Sequence, residues 1–140
     1  MTHDPFRDFH ALGLAGCIDK LTTPLRRTGT SVRWQTPHHG IEIPAACAAL
    51  LYHSAKETLS NAFKHAHATQ LTLRLAAVNH GIRLHITDNG LGFDSQRPTG
   101  KQGGYGLRLM TIAVHEAGGT IVVDSPPGNG TRVTITLPLD

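Results

Sequence analysis

Residues 88–93 read DNGLGF and follow the run GIRLHITD at 81–88, in which Ile82, Leu84 and Ile86 alternate with polar side chains. Alternation with a period of two predicts a strand with one face buried. Asp88 shares the parity of the three apolar residues, so the pattern that predicts the strand also turns a carboxylate toward its apolar layer. Burying an unpaired charge is costly, and Asp88 therefore requires a partner, either within the protein or in a ligand amino group. Gly90 and Gly92 allow the backbone to pass close beneath whatever Asp88 meets.

Working outward, Leu71, Leu73 and Leu75 alternate in the same way, and the turn at Asn79 to Gly81 joins the two runs in a hairpin. A second hairpin, TIVVD and TRVTITL, closes around PPGNG. In its last strand Val133, Ile135 and Leu137 face inward, and Thr131 shares their parity. Two polar groups thus point into one apolar layer. A flat purine, apolar on its faces and polar at its edge, would satisfy both; an internal hydrogen bond between Asp88 and Thr131 is the alternative.

Helical spacing supplies the other layer. Residues 11–27 read as a helix weakened at Pro24, and TSVRWQ at 30–35 as a strand. Pro44 opens the longest helix, which runs to Ala66. Leu107, Met110, Val114 and Ala117 mark one face of a further helix ending at Gly118-Gly119. The alternation of elements predicts an α/β (α+β) two-layer sandwich. Projected around the long helix, Ala48, Leu51, Tyr52, Ala55, Leu59, Ala62, Phe63 and Ala66 form the face expected to pack on the sheet. His53, Ser54, Glu57, Asn61, Lys64 and His65 lie opposite. A solvated face is the simple reading, but Glu57, Asn61 and Lys64 place a carboxylate, a carboxamide and an ammonium on neighbouring turns. These groups suit a magnesium triphosphate: an oxygen ligand for a hard cation, a positive charge for phosphate, and a carboxylate that can orient a nucleophile.

The composition limits the alternatives. The 140 residues, 39% hydrophobic, are expected to bury one core, so residues 1–140 are read as a single domain. No apolar run approaches a membrane span, and MTHDPFRDFH lacks the pattern of a secretory signal, so a cytoplasmic location is expected. The net charge of +3 comes from Lys and Arg spread along the chain, without the clustering and interleaved aromatics of a nucleic-acid binder. Cys17 and Cys47 are too far apart for a metal knuckle, and the ten histidines show no zinc-binding spacing. Six of the fifteen glycines fall between 90 and 106. Gly104-Tyr105-Gly106 leads into a helix whose free N–H groups can receive phosphate oxygens. Gly100-Lys101 is not followed by Ser or Thr, and Gly90-Leu91-Gly92 opens no helix, which removes the P-loop and the dinucleotide fingerprint.

ETLSNAFKHA (57–66), DNGLGF (88–93), GGYGLRLM (103–110) and GNGT (128–131) occur in that order and resemble the N, G1, G2 and G3 boxes of the ATP-binding catalytic domain of sensor histidine kinases. The KHA after Asn61 and the SPPGNGT ending resemble the NarL-type subfamily, with a dimerisation domain of the HisKA_3 kind. The likeness spans about residues 44–138, leaving 1–43 for an N-terminal helix and first strands. It implies a Bergerat fold, a mixed sheet packed against helices with an ATP lid. It further implies that Asn61 holds magnesium through ATP, that Glu57 orients or activates the acceptor, and that Lys64 and His65 contact phosphate or shape the site. Asp88 would accept from the adenine amino group above Gly90 and Gly92. Gly104, Tyr105, Gly106 and Leu107 would border the nucleotide, and Thr131 would reach the adenine edge. Two departures bear on lid coupling and partner docking: His53 where the subfamily often has Arg, and LRLMTIAV where it has a second small residue with an Arg nearby.

No helical hairpin carries an acceptor histidine here. Pro5 follows His3-Asp4, and His115-Glu116 ends the helix beyond the glycine loop. The resemblance therefore implies ATP and Mg2+ as cofactors, and a separate dimerisation domain as the histidine donor. A response regulator would act downstream, nucleic acid would not be bound directly, and the isolated domain would be a monomer. An anti-sigma-factor-type serine kinase, or a catalytically silent nucleotide-binding interaction module, are the alternative functions.

Overall fold

The computed structural model describes residues 9–35, 42–90, 104–124 and 130–139, without the side chains of 9–12, 42, 65, 66 and 104–107. Its elements are β1 (Phe9–His10), α1 (Ala11–Lys20), α2 (Thr23–Arg27), β2 (Ser31–Trp34), β3 (Glu42–Ile43), α3 (Ala45–Asn61) with a π-helical turn (Ala62–Ala66), β4 (Gln70–Val78), β5 (Gly81–Asp88), α4 (Gly104–Glu116), β6 (Thr120–Asp124) and β7 (Thr131–Pro138). β1 and β3 form a small antiparallel pair that hydropathy did not signal. The other strands form one sheet in the order β2-β4-β5-β7-β6. β2 pairs with β4 in parallel and all other pairs are antiparallel, so the sheet is mixed.

Inward-facing Leu71, Leu73, Leu75, Ile82, Leu84, Ile86, Val133, Ile135 and Leu137 build one continuous core with Leu14 and Ile18 of α1, Ala48, Leu51, Ala55 and Leu59 of α3, and Val114 of α4. The expected helix-on-sheet sandwich is thus present, with its core on one side of the sheet.

Three details differ from the sequence reading. Residues 11–27 form two helices: Pro24 stands in the first turn of α2, where its missing N–H costs nothing, and the chain turns at Leu21-Thr22 with Thr22 Oγ1 donating to the Asp19 carbonyl at 2.6 Å. Phe63 is 47% exposed although helical projection assigned it to the packed face. The π-helical turn that begins at Ala62 changes the residues per turn, and the 100° projection loses phase there. Ser54, projected toward solvent, is buried. It is covered by α4, with Ser54 Oγ 3.5 Å from Met110 Sδ.

Candidate functional site

Three elements converge at one end of the sheet. Near the opposite end, Cys47 in the first turn of α3 lies 3.6 Å from the Pro138 carbonyl oxygen, at the end of β7. The 17 residues of α3 and the 8 of β7 both span about 25 Å at about 1.5 and 3.3 Å per residue. The far end of α3, carrying Glu57 and Asn61, therefore reaches the start of β7. The chain after α3 confirms the placement: Asn89 Oδ1 accepts from the backbone N–H groups of Thr69 and Gln70 at 2.9 and 2.8 Å, and Asn89 Nδ2 donates to Thr69 Oγ1 at 2.8 Å.

α4 runs the other way. Gly119, just beyond its C-terminus, sits against the Thr136 carbonyl, so its N-terminal residues Gly104, Tyr105, Gly106 and Leu107 lie toward the Asp88 end. Their backbone is helical, and free N–H groups at such a terminus carry a partial positive charge. Two of the four residues of that first turn are glycine. Gly92 and the rest of the glycine loop before 104 lie outside the described residues.

The strand row at this end pairs Leu71, Asp88 and Thr131. Asp88 is 8% exposed and lies on the helix side, as its parity predicted. Gly90 donates its backbone N–H to Asp88 Oδ1 at 2.8 Å, and the Thr131 backbone N–H also bonds to the carboxylate. These protein partners are backbone amides; the sequence reading weighed a purine against an internal hydrogen bond between Asp88 and Thr131, and the Thr131 amide supplies such a bond. Burial raises the Asp88 pKa, and the two amides pull against that rise. A carboxylate has about four acceptor positions, so it retains capacity for a further donor. Glu57 and Asn61 are half-buried and Lys64 is exposed. Their side chains make no hydrogen bond or ion pair with another described residue. His65 lies in the π-helical turn, and its side chain is outside the described set.

Residues 47–140 match the family of histidine kinase-, DNA gyrase B-, and HSP90-like ATPases. The chain belongs to this ATPase family. The sensor histidine kinase LiaS of Bacillus subtilis is 36% identical over 89 residues, which are 64% of this chain and 24% of LiaS. The sensor histidine kinase ComP of the same organism is 29% identical over 129 residues, 91% of this chain and 17% of ComP. The histidine kinase domain of a blue-light activated kinase from Erythrobacter litoralis superposes with a TM-score of 0.75 at 23% identity, over 91% of this chain and 60% of that domain. The chain is thus an ATPase-family domain of the kind found in sensor histidine kinases, with the Bergerat architecture. It spans about a quarter or less of the length of the first curated relatives it matches.

Two residues of this ATPase end escaped the sequence reading. Asn89 ties the start of β4 to the end of β5, which explains the residue between Asp88 and Gly90 in DNG. Gly130 is buried with φ +80°, and a Cβ there would collide with the Asp88 carbonyl oxygen. The signal was present in GNGT, where the second glycine precedes the inward-facing threonine. Gly130→Ala combines left-handed strain with overpacking and is expected to cost about 1–3 kcal/mol, read as a lower denaturant midpoint.

Proposed function

We propose that residues 1–140 act as one domain that binds ATP with magnesium and transfers its γ-phosphoryl group to a histidine on a separate dimerisation domain, from which a response regulator is charged. The reading is carried by the convergence of Asp88, the end of α3 and the N-terminus of α4 at one end of the sheet. Asp88 accepts from the adenine amino group, with Gly90 and Gly92 beneath the base and Thr131 at its edge. Asn61 offers an amide oxygen, the donor type that suits magnesium, and lies one helical turn from Glu57. Magnesium, when bound, neutralises charge on the phosphates. Lys64 and His65 face the phosphates, the amides of Gly104 to Leu107 border them, and Glu57 orients the incoming imidazole. Phosphoryl transfer depends mainly on such positioning and charge neutralisation, so no nucleophile is required within this domain. No helix is long and apolar enough to cross a membrane among the described residues; a cytoplasmic position for the domain follows from the proposed ATP chemistry.

The test is calorimetric titration with a non-hydrolysable ATP analogue, with and without magnesium, followed by transfer of labelled phosphate to a histidine-bearing dimerisation domain. Magnesium-dependent binding and labelling are expected. No heat at millimolar nucleotide overturns the proposal.

A further inference from the structure

The core lies on one side of the sheet. The other side is formed by the alternate residues, and the register aligns them across the strands: Arg74, His85 and Thr134 share one row, Arg83 and Thr136 the next, and Thr87 and Arg132 another. Arg74 and Arg132 are exposed, and Arg83 and His85 are half-buried. Neighbouring strands lie about 4.8 Å apart, and alternate residues along a strand about 7 Å, so residues distant in sequence form one cationic cluster. The three guanidiniums lie close enough to add to burial in lowering the His85 pKa. None of the arginines forms an ion pair with a described residue. Asp124, opposite Arg132 in register, is likewise without one.

The cluster is also held in place. Arg83 Nε donates to Thr136 Oγ1 at 3.0 Å, which leaves its terminal Nη groups for a ligand, and His85 Nδ1 lies 3.0 Å from Thr134 Oγ1. Like charges gathered on one sheet face repel, and among the described residues Asp124 is the one carboxylate in the rows that hold them, so most of the positive charge is left without a counter-charge. We infer that this face, which none of the described helices covers, is a second binding surface, which takes an acidic polypeptide segment on Arg74, Arg83, His85 and Arg132.

The chemistry selects carboxylates on a polypeptide. Every permanent cation of the cluster is arginine, whose planar fork matches carboxylate bidentately. Single-stranded nucleic acid requires aromatic side chains for stacking, and none of the described residues on this face is Phe, Tyr or Trp, because Trp34 packs against the core. A membrane surface favours apolar side chains that insert beside the cations, whereas these rows offer mainly threonines, and Val122 at the β6 edge is the one large exposed apolar side chain among their described residues. The surface lies on the other side of the sheet from α3 and α4, so its occupant and a nucleotide can bind together.

The test is a titration of the 140-residue chain with a decaglutamate peptide, followed by backbone amide NMR. Shifts are expected around Arg74, Arg83, His85 and Arg132 on β4, β5 and β7. Arg74→Glu with Arg83→Glu is expected to weaken binding about tenfold or more. Arg74→Lys with Arg83→Lys keeps the charge and is expected to weaken it about threefold through loss of the fork. Both pairs lie on the outer face, and unchanged amide dispersion shows that the fold is intact. Shifts confined to the Asp88 end, unchanged affinity in the lysine variant, or tighter binding of phosphatidylserine vesicles or of oligothymidylate each overturns the inference.

Discussion

Asn61→Ala is expected to abolish the magnesium-dependent part of nucleotide binding while leaving the fold as stable as before, or more so. The amide is half-buried at the end of α3 and makes no side-chain hydrogen bond with another described residue, so its removal leaves no internal donor or acceptor unpaired. Alanine is the better helix former, by about 0.5 kcal/mol. In the proposed site, loss of an oxygen ligand to magnesium would remove several kcal/mol of charge stabilisation, and a loss of about a hundredfold or more in phosphotransfer is expected. Calorimetry with and without magnesium, labelled-phosphate transfer and a urea unfolding curve check the three parts together. Unchanged magnesium dependence would remove Asn61 from the site, and a lower unfolding midpoint would make it structural.

Asp88→Asn is expected to weaken nucleotide binding about ten- to a hundredfold, as befits a charge-assisted hydrogen bond in a water-poor site. It also reports through pH. Burial holds the Asp88 carboxyl above its ordinary range despite the Gly90 and Thr131 amides. With the folded pKa above the unfolded one, the native state keeps a proton that the unfolded chain has released, so the contribution to stability is greatest at low pH and declines as pH rises through that window. Nucleotide affinity is expected to run in the opposite direction, because the proposed acceptor is the ionised carboxylate, and to rise as pH climbs through the folded pKa. Asp88→Asn flattens both slopes. Unfolding and calorimetric titrations across mildly acid pH measure them, and a variant that keeps the wild-type slopes would assign them to another group.

Strand parity was the most legible feature of the sequence. It placed Asp88 and Thr131 in the inner layer, because a period of two leaves no freedom once three apolar residues fix the face; that they share one row came only from the register. The long helix was less legible. The apolar stripe through Leu51, Ala55 and Leu59 holds, but Phe63 lies past the change of helical pitch, and Ser54 is hidden by a tertiary neighbour that no local pattern announces. The basic surface escaped for a different reason. Arg74, Arg83 and Arg132 are scattered along the chain, and only the cross-strand register makes them neighbours. Asn89 was passed over because its partners, Thr69 and Gln70, lie at the entry to the preceding strand.

The strand order also dictates when the nucleotide end comes into being. β4 and β5 meet across a turn at Asn79-His80 and β6 and β7 across a short connection, so both hairpins close quickly with little loop entropy. β5 must then find β7 across the whole of α4 and β6, and β2 must find β4 across α3. The row that holds Asp88 beside Thr131 belongs to those later encounters. During refolding, the capacity to bind nucleotide will therefore appear after most of the hairpin structure has formed. If the row holds nucleotide as proposed, added nucleotide is expected to slow unfolding far more than it speeds folding, because it bridges strands that pair late.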